Sequence, residues 1–201
     1  ALHTNRSVTD LNLSANYIGT HHSCGNSLKQ LLSSNNALLS LNLSRNQLGF
    51  TCRPSPASSS NNVCLLSEGL SSNTNLRALT LSDCGIQTKG VEALGLSMAV
   101  NTSLLTLDLS RNHGVTRYGT VCLANGLAFN SGLEKLNVAG CSMGMAGATA
   151  VANMLRTNTT LVDLNVSGNP MDKQGSAIQC YGALAIALSL RDNQSLQALR
   201  L

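Results

Sequence analysis

The chain has 201 residues, 13 of them basic and 9 acidic for a net charge of +4, while aromatic residues reach only 2% and Trp is absent. That length is enough to bury a core, but large rings are too few to fill one globular centre, so the 36 Leu must pack it beside 25 Ser and 22 Asn. The charges form no basic run, which argues against nucleic acid or a membrane surface as partner, and no apolar stretch approaches the roughly 20 residues of a membrane helix.

In chain order, one phrase recurs seven times. It starts at Val8, Leu38, Leu76, Leu104, Leu133, Leu161 and Leu196 and reads apolar-x-x-Leu-x-Leu/Val, as in LLSLNLSRNQLG from Leu38 and LLTLDLSRNHG from Leu104. The intervals are 30, 38, 28, 29, 28 and 35 residues. Alternation with period two predicts a short strand at each copy, with leucines on one side and small polar residues on the other. The first six copies continue to Asn16, Asn46, Cys84, Asn112, Cys141 and Asn169. A polar residue pointing inward there must bond the neighbouring backbone, so this row is expected to be a structural ladder.

Between the strands, apolar pairs four apart predict helices: Leu28 with Leu32, Leu66 with Leu70, Leu94 with Met98, Leu123 with Leu127, Val151 with Leu155, and Ile186 with Leu190. Three residues before every strand phrase stands an asparagine, at Asn5, Asn35, Asn73, Asn101, Asn130, Asn158 and Asn193. Its place just past the helix end predicts a left-handed backbone, which Asn tolerates better than most residues. The seven Asn-x-Ser/Thr sequons fall on this asparagine or between the strand leucines, so the repeat explains them without glycosylation.

One unit of about 28 residues cannot bury its own apolar face, whereas stacked units form a parallel sheet over a continuous leucine core. The pattern L-x-x-L-x-L-x-x-N/C-x-L is the leucine-rich-repeat signature, and the unit length with alternating Cys84, Asn112, Cys141 and Asn169 resembles the ribonuclease-inhibitor-like class. The resemblance implies an α/β solenoid of about seven repeats, with a curved parallel sheet on the concave side and helices on the convex side. That class includes ribonuclease inhibitor, the Ran GTPase-activating proteins, sensor domains of NOD-like receptors, and cytoskeletal or ciliary scaffolds. It implies a cytoplasmic, non-catalytic scaffold or adaptor whose partners are other proteins, with a GTPase regulator or receptor sensor as alternatives.

The whole of residues 1–201 is expected to be one repeat domain, truncated at both ends: the chain lacks an initiator Met and stops within the phrase at SLQALRL. Against a 28-residue unit the first repeat has 2 extra residues, the second 10 and the sixth 7. These map between strand and helix, to loops near 20–24, 50–62 and 172–181. Insertions in repeat arrays collect on one face that often binds. A docking edge of His21, His22, Phe50 and Arg53 follows. The concave face offers a weaker set in Arg45, Asp83, Asp108 and Arg111. Which of the two surfaces binds is left open by the sequence.

No chemistry competes with this reading. The segment HHSC lacks a second ligand pair at zinc spacing, and GMAGATA has no Lys or Ser/Thr after its glycines in the order of a phosphate loop, so no metal, cofactor or small-molecule substrate is expected. The seven cysteines are odd in number, and the three at repeat positions, Cys84, Cys122 and Cys141, are expected to be reduced core thiols.

Overall fold

The computed structural model describes residues 2–21, 23–49, 61–170 and 181–201. Among these residues seven strands of three residues alternate with six α-helices. The strands are β1 (Asp10–Asn12), β2 (Ser40–Asn42), β3 (Ala78–Thr80), β4 (Thr106–Asp108), β5 (Lys135–Asn137), β6 (Asp163–Asn165) and β7 (Ala198–Arg200). The helices are α1 (Cys24–Ser34), α2 (Asn62–Ser72), α3 (Thr88–Met98), α4 (Thr116–Leu127), α5 (Gly144–Thr157) and α6 (Tyr181–Ser189). No described helix is long and apolar enough to cross a membrane.

The strands form one parallel sheet in sequence order, and the pairing puts Leu11, Leu41, Leu79, Leu107, Leu136, Leu164 and Leu199 side by side. This register follows from the leucine period, because a one-residue slip would turn every leucine out of the core. Leucines of the central repeats, such as Leu79, Leu107 and Leu164, are fully buried, whereas Leu11 and Leu199 in the outer strands are only partly covered. The helical pairs pack on the same core, except that α6 ends at Ser189 and leaves Leu190 outside it and exposed.

Two rows of side-chain amides and thiols bind the repeats to one another. At the strand exits, Asn112 donates from Nδ2 to the carbonyls of Leu81 and Leu109 at 2.9 and 2.7 Å, while its Oδ1 accepts from the amides of Cys84 and Ile86. Asn169 makes the same four bonds, and Asn46 makes three of them, donating to the Leu13 and Leu43 carbonyls and accepting from the Ile18 amide. Cys84 and Cys141 donate their thiols to the carbonyls of Leu43 and Leu109 at 3.1 and 3.2 Å. Asn16 differs: it is exposed and bonds only within its own loop.

The helix-end asparagines form the second row, and here the expected left-handed backbone is corrected. Asn35, Asn73 and Asn158 are extended, with φ of −88, −78 and −76°. Their job is done by the side chain: Asn101 donates to the carbonyls of Leu70 and Asn73, both at 2.8 Å, and accepts from the amides of Ser103 and Leu104. The same four bonds recur at Asn73, Asn130 and Asn158. A buried amide that satisfies two carbonyls of the preceding repeat and two amides of its own is why the position holds Asn.

Candidate docking surfaces

A row of left-handed residues sits at the other corner, one place before each ladder residue. Ala15, Arg45, Asp83 and Arg111 have φ of 56, 56, 54 and 60°, and Gly140 and Gly168 hold the same position in the next two repeats at 65°. The backbone amides of Arg45, Asp83 and Arg111 each bond the neighbouring repeat, to Ser82, Ser110 and Ala139. The three charged residues are thus brought together, at the exits of consecutive strands that lie about 4.8 Å apart. All three are exposed, and none is in an ion pair; among the described residues only Lys29 with Glu68 and Arg200 with Asp163 are paired.

Asp108 does not join them. It is half-buried in β4, and its Oδ1 accepts from the Ser110 amide at 2.8 Å, closing the turn that leads to Arg111. Asn12, Asn42, Asn137 and Asn165 make the same bond in their own repeats, so this row of the sheet face is spent on turn geometry.

On the loop edge, His22, Phe50 and Arg53 lie outside the described residues, as do residues 51–60 and 171–180. His21 is exposed just ahead of α1, its Nδ1 2.8 Å from the Ser23 hydroxyl and accepting from the Ser23 amide. Among the cysteines, Cys84 and Cys141 are fully buried, and burial pushes both thiols up to about 11. Cys122 is a correction: it is half-buried on the outer helix α4, one place before the buried Leu123, so it does not join the core.

Sequence reasoning passed over a second group at the same corner. The interval of 29 residues after Leu104 holds one residue more than its neighbours, and the surplus lies between Asn112 and Val115, where a 3-10 turn spans His113–Val115. Thr116 follows at φ 60° and ψ 177°, a conformation in which a β-branched residue is an outlier. It is held by its amide bond to the Cys141 carbonyl and by a 3.0 Å contact between its hydroxyl and that of Thr88. Arg117 then lies with its guanidinium carbon 4.6 Å from the Tyr118 ring centroid and donates to the phenol oxygen at 2.9 Å. That hydrogen bond, helped by the guanidinium charge, holds the Tyr118 phenol below its usual range. Arg111, His113, Arg117 and Tyr118 are all exposed. The signal that would have found them is the odd interval.

A family model described as Leucine Rich repeat matches residues 72–95, 100–124 and 157–175. The tropomodulin C-terminal domain of Caenorhabditis elegans is similar in structure, with a TM-score of 0.60 at 14% identity over 84% of this chain and 92% of that one. The solved structure of leiomodin-1 actin-binding site 2 has a TM-score of 0.57 at 17% identity over 84% of this chain and 88% of that one. At those identities the likeness is one of fold. Comparison with curated proteins gives no sequence match.

Proposed function

We propose that this chain, a leucine-rich-repeat solenoid, is a non-catalytic docking scaffold that holds a protein partner at its strand-exit corner in a cytoskeletal setting. The observation that carries the reading is the backbone at Arg45, Asp83 and Arg111. A left-handed residue is cheapest as glycine, and repeats five and six use glycine at that place. Repeats two to four instead carry long or charged side chains there, exposed and, among the described residues, free of ion pairs. Backbone strain accepted for side chains that make no ion pair with the described fold is a mark of function. Display of unpaired charge along a sheet corner suits recognition of a charged protein surface and steers its approach.

The absence of chemistry in this reading rests on where the polar groups are used. The buried asparagines and thiols are committed to backbone bonds, and the exposed charges spread along a row instead of converging on a pocket. Actin is the first partner to test, since a domain of similar fold, that of leiomodin-1, is an actin-binding site. The chain is expected to co-sediment with filamentous actin or to retain monomeric actin on a gel-filtration column. Arg45→Ala combined with Arg111→Ala should weaken that binding about tenfold, the loss expected for two charged contacts. No binding to either form of actin removes the cytoskeletal setting, and binding that the double variant leaves intact moves the partner off the corner.

A further inference from the structure

The corner of the fourth repeat borders three glycines of the next two repeats. Gly140 and Gly144 are left-handed, and a Cβ at Gly140 would stand 3.7 Å from the Arg111 Cα and 3.8 Å from the His113 Cε1, while one at Gly144 would stand 3.6 Å from the Arg117 Cβ. Gly168 continues the floor, its own Cβ position 3.8 Å from the Gly140 amide. At each place a Cβ would sit in ordinary contact with these neighbours, so the glycines leave bare backbone beside Arg111, His113 and Arg117. Residues 139–147 and 166–170 carry no charge at all.

Those two segments supply no counter-charge. The acids of this corner are Asp108 in β4, half-buried and bonded to the Ser110 amide, Asp83 past the end of β3, and Glu92 a turn into α3, whose first turn also carries Lys89. None is ion-paired with Arg111 or Arg117. The Arg117 side chain is already ordered against Tyr118, which lowers the entropy lost when it meets an anion.

We propose that an extended acidic segment of a protein partner lies along this glycine-floored strip, its backbone against Gly140 and Gly144 and its carboxylates paired with Arg111 and Arg117. This rests on the docking role proposed above and commits it to a partner chemistry. A planar guanidinium takes a carboxylate through two parallel bonds, and a floor without Cβ atoms lets a main chain approach closely. His113, on the inserted turn, borders the same strip and adds a donor at its edge.

The test is fluorescence anisotropy with a labelled peptide of about twelve residues alternating Glu and Ser, against the same peptide with Gln for Glu. The 201-residue chain is expected to bind the acidic peptide and not the neutral one, and to release it as NaCl rises from about 50 to about 300 mM. Arg111→Gln with Arg117→Gln should cut affinity at least about tenfold. Arg156→Gln with Arg191→Gln removes the same charge elsewhere and should leave affinity within about twofold. Arg117→Gln alone repeats the test without touching the left-handed corner, and melting curves verify that each variant is folded. Equal losses in the two double variants overturn the proposal, since net charge would then explain binding. Tighter binding of single-stranded oligouridylate or phosphatidylserine vesicles through the same arginines overturns it too, assigning the strip to a different class of partner. No peptide binding by a chain that still holds actin through Arg45 sinks this inference alone.

Discussion

Replacing Arg45, Asp83 and Arg111 together by Gly separates display from support. Their φ values of 56, 54 and 60° cost an L-residue about 1 kcal/mol each, rather less for Asp. Glycine relieves that strain, but its freedom in the unfolded chain returns about 0.5–1 kcal/mol per site to the other side. No ion pair is lost, and the backbone bonds to Ser82, Ser110 and Ala139 are unaffected by the side chains. The balance for the triple variant is a stability equal to that of the parent or higher by up to about 1.5 kcal/mol. Urea unfolding followed by far-UV circular dichroism measures it, with an unchanged dependence on urea showing that the same surface unfolds. Partner binding should fall in the same variant. A loss of stability beyond about 2 kcal/mol would mean that these side chains hold the fold together, and the argument from strain to function would fail.

Three further outcomes follow from the core. Asn101→Ala strands two carbonyls and two amides at a site only 2% exposed, and should cost about 3–5 kcal/mol in the same urea experiment; a change under about 1 kcal/mol would mean the helix-end row is dispensable. Leu107→Ala, at a fully buried place in the middle of the stack, should cost about 2–5 kcal/mol, and an unchanged midpoint would contradict the strand register. Cys84 and Cys141 have folded values near 11 against 9.0 for an ordinary thiol, so their stabilising effect is whole below 9.0 and is lost as pH rises towards about 11. Melting temperature should therefore drop across that window, and less steeply in Cys84→Ala with Cys141→Ala.

The fold was legible because its two periods are written in residue type. Leucine alternation set the register of all seven strands, and the four-residue pairs set the helices. What the asparagines do was legible only in part. Position alone pointed to a left-handed helix end, whereas the amide at Asn73 or Asn158 is fixed by carbonyls that belong to the previous repeat. Such long-range bonds leave no local mark. The left-handed corner was hidden for a related reason: Arg45 and Arg111 are residue types that do not announce positive φ, and only Gly140 and Gly168 at the same template place hint at it. The basic group of the fourth repeat escaped notice because Arg111, His113 and Arg117 are scattered in sequence and gathered by a one-residue insertion. Of the loop edge, only His21 falls among the described residues.

The most direct test of docking at the strand-exit corner is site-specific photo-cross-linking. A benzoylphenylalanine at Gln47, exposed beside Arg45, is compared with one at Thr149, exposed on the outer helix α5. The account predicts a protein adduct from position 47 that disappears when Arg45, Asp83 and Arg111 are replaced by Gly, and none from position 149. An adduct from position 149 alone, or one from position 47 that survives the triple replacement, would contradict it.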